Sequence, residues 1–372
     1  MGIICTFEKI SMQTALHILS GLLILLSVLP FIRNQHWVFR VPEFMKIQIL
    51  ILQTAVLAAS FFFCEHDLLF WTLAVIQAAL MAYHIYLLIR YTKFYRKNKI
   101  SETGKSSQKI SIISANVYQF NTDYPRFQKI IKQFQPDIFI TIESNSGWEK
   151  ANRELEKDYP FSHKVTLENT YGMHFYSKIK PVEIKTHFFV ADDIPSIEAL
   201  FKTDDGFEFE IFAVHPPPPS PTEETTSKER DGDLLSVAKK IKNRNRPTVV
   251  IGDFNTVAWS TTSILFRKTS GLIDGRIGRG ILSTFHAKYW FFRVPLDLFF
   301  HSKEVFIDEL KTLDYFGSDH FPIFCEFHLN ETDRAQETDV KTASEKENRE
   351  ADELIEEGKK ETMENREEFA ME

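Results

Sequence analysis

Apolar residues are arranged along this chain in two different patterns. Near the N-terminus they run almost unbroken. Segments 12–32 (MQTALHILSGLLILLSVLPFI), 47–64 (IQILILQTAVLAASFFFC) and 68–89 (LLFWTLAVIQAALMAYHIYLLI) contain no Asp, Glu, Lys or Arg. About 18–20 such residues suffice to cross the hydrocarbon core of a bilayer as a helix. A cleaved signal peptide would explain one run but not three. The pattern predicts a membrane anchor over 1–100, with transmembrane helices at about 12–32, 44–64 and 68–89. The second has the weakest signal, because Lys46 lies at its edge and Gln48 and Gln53 inside it.

From residue 109 the pattern changes to short apolar runs separated by amphipathic ones. KISIISANV (109–117), DIFITIE (137–143), HFYSK (174–178), FEFEIFAVH (207–215), TVVIGDF (248–254), LDLFFHS (296–302) and HFPIFCEFHL (320–329) read as strands. Phe127, Ile130, Ile131 and Phe134 have helical spacing, and LLSVAKKIKNR (234–244) is a second helix. Elements interleaved in this way predict an α/β sandwich over 109–330, joined to the anchor by a polar linker at 101–108. The last segment, 331–372, has 16 acidic and 7 basic residues and almost no large apolar ones. Such a composition cannot bury enough surface to offset its ordering entropy, which predicts a disordered tail or a solvated helix.

Charge adds an orientation. The net charge of −7 is unevenly placed, with a basic N-terminal third and an acidic tail. Arg33 and Arg40 occupy the first connector, and Arg90, Lys93, Arg96, Lys97 and Lys99 follow the third span; the second connector, EHD at 65–67, has no Lys or Arg. Basic flanks stay inside, so both basic segments, and the domain after them, are expected on the cytoplasmic side of a plasma or inner membrane. Cys5, Cys64 and Cys325 give neither a disulfide framework nor a zinc spacing. The run SETGKSS at 101–107 ends like a phosphate-binding loop, but Lys99 stands where that loop needs its first glycine.

The candidate chemistry lies at the ends of the strands. Asn116, Glu143, His215, Asp253 with Asn255, Asp297, and Asp319 with His320 all interrupt or border apolar runs. A carboxylate at the mouth of a hydrophobic strand is costly unless something pairs with it. Hard carboxylate oxygens suit Mg²⁺, with Mn²⁺ as a possible substitute, and imidazoles can balance charge on a phosphate. Asp297 and His320 have the right types for an Asp-backed histidine. The set suits attack of water on a phosphoester.

In their order, ISANV, PDIFITIE, FAVH, VIGDFN, PLDLFF and GSDHFPI resemble the motifs of the endonuclease/exonuclease/phosphatase superfamily, and the HPPPPSP run (215–221) is similar to its bacterial membrane-anchored branch. The resemblance covers about 109–329. It implies a DNase I-like fold, a two-layer β-sandwich flanked by helices, here preceded by three transmembrane helices. It implies Glu143 as a main Mg²⁺ ligand helped by Asn116 and Asp319, Asp253 activating the water, and Asn255 holding the phosphate. His320 with Asp297 would stabilise the transition state, and His215 would contact the phosphate or leaving group. Ala115, Ile142 and Leu298 depart from residues usual in the family and bear on substrate choice. Arg276 and Arg279, in the glycine-rich loop GLIDGRIGRG (271–280), are further candidates for gripping substrate phosphate. The expected function is a membrane-anchored, Mg²⁺-dependent phosphodiesterase or phosphatase. The alternatives are a nuclease acting on DNA or RNA and a catalytically silent, membrane-tethered binding module. The expected partners are the bilayer and a phosphoester of unspecified class.

Overall fold

The computed structural model describes residues 2–95, 107–221 and 223–371. Most of the expected linker at 101–108, and the basic residues Arg96, Lys97 and Lys99, lie outside the described residues.

The N-terminal apolar runs form α1 (Gly2–Val28), α3 (Lys46–Phe63) and α4 (Leu68–Leu88), with the short α2 (Trp37–Phe44) between the first two. Three segments, Ser11–Phe31, Lys46–Phe63 and Leu68–Tyr91, are long and apolar enough to cross a membrane. Leu16, Leu23, Ile49, Val56 and Phe70 pack where these helices meet. The polar residues that weaken the second run are accommodated. The Gln53 side chain donates to Ser27 Oγ at 3.0 Å inside the bundle, and Gln48 sits at the helix start. An amide with a partner on a neighbouring helix is tolerated in an apolar bundle.

The remainder forms two packed six-stranded sheets. One, in the order β11-β12-β1-β2-β4-β3, comprises β1 (Ile110–Asn116), β2 (Ile138–Ile142), β3 (Phe161–Val165), β4 (Met173–Ser177), β11 (Val305–Thr312) and β12 (Ile323–Leu329). The other, β5-β6-β7-β8-β10-β9, comprises β5 (Pro181–His187), β6 (Ser196–Lys202), β7 (Glu208–Val214), β8 (Thr248–Asp253), β9 (Ile273–Asp274) and β10 (Asp297–His301). β1 runs parallel to β2, and β7 to β8; the other pairings are antiparallel. Ile112, Ile140, Phe175, Phe201, Ile211, Ile251 and Phe299 share the core between the sheets. Their neighbours of opposite parity point outward. Ile113 and Phe139 meet α5 (Tyr124–Phe134) and Trp148 of α6 (Ser146–Asn152), while Phe212 and Val250 meet α7 (Lys228–Lys242) and Phe266 of α8 (Thr261–Ser270). Burial on both faces explains why the central strands are almost continuously apolar.

The apolar helices and the sandwich are joined by more than the chain. Leu88, Tyr91, Phe44 and Ile47 pack against Val257, Trp259 and Leu296. Trp259 Nε1 donates to the Glu43 carbonyl at 2.8 Å, and Gly278 N donates to that of Arg90 at 2.8 Å. The two basic segments therefore share the end of the bundle that carries the sandwich. The EHD connector is at the other end, where Glu65 N reaches Gln13 of α1.

Of the two alternatives expected for the tail, disorder or a solvated helix, the structure has a helix, and it is docked rather than solvated. Residues Glu345–Met371 form α9, which lies along α7. Ala351, Leu354 and Ile355 are few, but they share one face and meet Leu235 and Leu265. Lys239–Asp352, Lys268–Glu347 and Lys228–Glu361 pair the acidic helix with the basic residues of α7 and α8. Composition averaged over the tail hides this stripe.

Candidate active site

The polar strand ends converge at one rim of the sandwich. β1 delivers Asn116, β2 is followed by Glu143, β7 by His215, and β8 ends at Asp253. β10 begins at Asp297, directly opposite Asp253 in an antiparallel register. Parallel β1/β2 and β7/β8 point their C-terminal ends the same way, which makes a rim of functional groups from apolar strands.

Asp253 is at the centre. Its Oδ2 accepts from Asn116 Nδ2 at 3.1 Å and lies 3.5 Å from His320 Nε2 and 4.0 Å from His215 Nε2; its Oδ1 accepts from Asn255 N at 2.9 Å. His320 Nδ1 is 2.7 Å from Asp297 Oδ2. Burial disfavours the imidazolium, but Asp297 and Asp253 outweigh it and push the His320 pKa up to about 10. His215 is the opposite case, since burial takes it down to about 4 and leaves it neutral. One histidine is thus a fixed cation and the other a neutral hydrogen-bonding group.

Glu143 Oε1 accepts from Asn116 Nδ2 at 2.7 Å and Oε2 from Gln119 N at 3.2 Å. Asn116 Oδ1 is engaged by Tyr118 N at 3.0 Å, so its amide bridges the Glu143 and Asp253 carboxylates. Burial raises the Glu143 pKa to about 7 against these hydrogen bonds. A carboxyl desolvated this far has the character of a ligand for a hard cation, and the donor set fits one. Asp253, Asp297 and His320 also place ligand atoms within 4.8 Å of one another, close enough to hold a metal ion. With His320 held as a cation between two aspartates, Glu143 is the better oxygen donor.

The backbone is held in rarely used conformations here. Glu143 has φ 61° and Asn255 φ 48°, in the left-handed region that non-glycine residues seldom enter. Arg230, fully buried, fixes the second: its Nη1 donates to the Asn255 carbonyl at 3.1 Å while the guanidinium pairs with Asp231. Asn255 Nδ2, expected to hold the phosphate, instead donates to the Pro216 carbonyl at 2.9 Å, which braces the loop behind His215. Ser318 bonds the Asn116 carbonyl through its hydroxyl and accepts from His320 N, tying β1 to the SDH segment. Arg230 carries no sequence signal that would separate it from ordinary polar residues, whereas Ser318 lies within the GSDHFPI motif. Asp319 lines the same cavity, of about 480 Å³, as do Tyr118, Tyr171, Phe285 and two residues of α2, Val41 and Phe44.

Arg276 and Arg279 are not brought to the site. Arg276 is fully buried against Asp274 and over the Tyr91 ring, and Arg279 donates to the carbonyls of Gly275 and Ile307. The glycines let this loop fold tightly enough to use both guanidiniums internally. That corrects the reading of them as phosphate grips.

A sequence model of the Endonuclease/Exonuclease/phosphatase family matches residues 113–320, more than half of the chain and every strand-end group above. The chain belongs to that family. Its members are hydrolases acting on phosphoesters, and this protein is an enzyme of that kind. No curated protein sequence matches it significantly. Among solved structures, D. rerio TDP2 complexed with a single-strand DNA product is similar at a TM-score of 0.51 and 18% identity, covering 59% of this chain and 99% of that one. An Endonuclease/Exonuclease/phosphatase family protein from Bacteroides thetaiotaomicron gives 0.50 and 20%, covering 62% and 98%. The human Nocturnin catalytic domain with a bound sulfate gives 0.50 and 16%, covering 60% and 95%. At these identities the likeness is one of fold. The three apolar helices and α9 lie outside the matched residues 113–320.

Proposed function

We propose that the protein is a membrane-anchored, Mg²⁺-dependent phosphodiesterase or phosphatase whose catalytic domain faces the cytoplasm. The observation that carries the catalytic reading is the setting of Asp253, a buried carboxylate within 4.0 Å of two histidines and hydrogen-bonded to Asn116. A divalent ion held by Glu143, with Asp319 nearby, would polarise a phosphoryl oxygen and draw charge from it. Asp253 orients the attacking water and takes its proton. His320, kept cationic by Asp297, balances the charge that builds on the phosphoryl oxygens. His215, neutral, donates to the phosphate or the departing oxygen, and Asn255 holds the loop that presents it. Membrane anchoring is supported by the three apolar helices, and the side by the Lys/Arg flanks, which stand at the end of the bundle that carries the site.

The test uses the full chain in detergent with a soluble phosphodiester, bis(p-nitrophenyl) phosphate. Hydrolysis should need Mg²⁺ or Mn²⁺ and stop in chelator. Asp253→Asn and His320→Gln should each lose about 10²–10⁴-fold in rate. Hydrolysis that survives chelation and both substitutions overturns the assignment.

A further inference from the structure

The wall of the catalytic cavity is partly built by the anchor. Val41 and Phe44 belong to α2, and α3, an apolar span, begins at Lys46. Phe44, the last residue of α2, is only two residues before the start of that span. The cavity also has an apolar lip, since Phe120 lines it and is 67% exposed.

A second observation is independent of the cavity wall. The segment KYWFFR (288–293) exposes four consecutive aromatic residues, with Trp290 at 77%, and is flanked by Lys288 and Arg293. A soluble surface rarely displays such a cluster, whereas Trp and Tyr beside basic residues are suited to the lipid headgroup boundary. The segment is held at that level: Gln48, in the first turn of α3, donates from Nε2 to the Phe291 carbonyl at 3.0 Å. At its other end the chain returns to the site, where Ala287 N bonds the Asp319 carbonyl and the Phe285 ring lies 5.0 Å from that of His320. One stretch therefore joins the catalytic histidine to an aromatic surface level with the start of a span.

We propose that the cavity opens at the boundary between bilayer and water and that its substrate is the phosphoester headgroup of a membrane amphiphile. The proposal rests on the hydrolase reading above and names its substrate class. The aromatic segment seats in the interface beside the mouth. The apolar part of the substrate stays in the bilayer and against Phe44 and Phe120, while its phosphorus reaches Asp253. Water oxygen then bonds to phosphorus, the ester P–O bond breaks, and Asp253 takes one water proton. The departing oxygen gains a proton, so one ester and one water give one alcohol and one phosphate product.

The experiment uses the full chain in phosphatidylcholine vesicles. Phosphatidylcholine brominated near the headgroup should quench fluorescence in the wild type more than in Trp290→Phe. Dihexadecyl phosphate in the vesicles should inhibit bis(p-nitrophenyl) phosphate hydrolysis at least tenfold more strongly than soluble diethyl phosphate. Trp290→Ser/Phe291→Ser, outside the cavity, should weaken inhibition by the amphiphile at least fivefold and leave uninhibited hydrolysis unchanged. Equal quenching in wild type and Trp290→Phe, or equal inhibition by the two diesters, overturns the proposal while leaving the hydrolase reading intact. Absence of any metal-dependent hydrolysis overturns that reading instead, and the quenching comparison still decides whether the aromatic segment meets the bilayer.

Discussion

Asp253 and Asp297 face each other across the antiparallel β8–β10 pair, and His320 spans them, 2.7 Å from Asp297 Oδ2 and 3.5 Å from Asp253 Oδ2. Two buried carboxylates this close are tolerated because one imidazolium serves both. Their roles differ: Asp297 fixes the ring through Nδ1, and Asp253 faces the cavity.

Asp297→Asn tests that division, because it keeps the shape and removes the charge that holds His320 as a cation. We expect kcat to fall about 10²-fold or more with KM changed little, since a transition-state interaction is lost. Steady-state kinetics with a soluble phosphodiester measure it. A rate within threefold of wild type would mean that Asp297 only packs.

Arg276 and Arg279 call for the opposite result. Arg276→Gln leaves Asp274 buried without its cation, a loss on the scale of 3–5 kcal/mol for a broken buried pair. Thermal unfolding should shift down markedly while KM of the surviving folded enzyme stays the same. A raised KM at unchanged Tm would restore these arginines to substrate binding.

The site was easier to read in the sequence than the fold's margins. Asn116, Glu143, His215, Asp253 and His320 each break an apolar run, and a buried strand end makes such a break conspicuous. β3, β5 and β11 are faint in the sequence for a related reason. They are edge strands, and PVEIKTH and VFIDELKT carry the charges that edges use against mispairing. With one flank in water, their hydrophobic signal is halved. β6, an interior strand, is faint because Ser196 and Glu198 interrupt its apolar pattern, although Glu198 is buried against Arg244 and Lys240. Arg230 acts through a backbone carbonyl brought close only by the fold, so no local pattern marks it.

Two buried histidines away from the site set an acid limit to stability. Burial holds His174 and His301 down at about 4, against an ordinary value of 6.5. The unfolded chain therefore binds protons that the folded one refuses between pH 6.5 and 4. Stability is full above 6.5 and falls as pH drops through that window, by on the order of 2–3 kcal/mol for each histidine. Thermal unfolding of the full chain between pH 7.5 and 4.5 should show the decline, and His174→Gln with His301→Gln should flatten it. An unaltered slope in the double variant would assign the acid sensitivity to other groups.

The last prediction concerns how α9 is held. It crosses α7 at two glycines: a Cβ on Gly358 would come within 2.6 Å of the Lys228 carbonyl oxygen and 3.3 Å of Gly232 Cα. The contact is backbone to backbone, so no side chain can swing away to relieve it. Two effects then oppose each other in Gly358→Ala. Alanine favours the helix itself by about 1 kcal/mol, but overpacking a close contact typically costs 1–3 kcal/mol. The second is larger, and the net result should be an α9 that is more helical in isolation and less firmly docked. Limited proteolysis separates the two, because cleavage within 345–363 reports docking and circular dichroism reports helicity. Gly358→Leu should increase the cleavage rate further, by tenfold or more over wild type, while Gly21→Ala, whose Cβ would meet nothing within 4 Å, should leave it unchanged. If Gly358→Leu resists protease as wild type does, the crossing is looser than two facing glycines imply. The ion pairs Lys239–Asp352 and Lys268–Glu347 would then be what holds the helix, and high salt should release it.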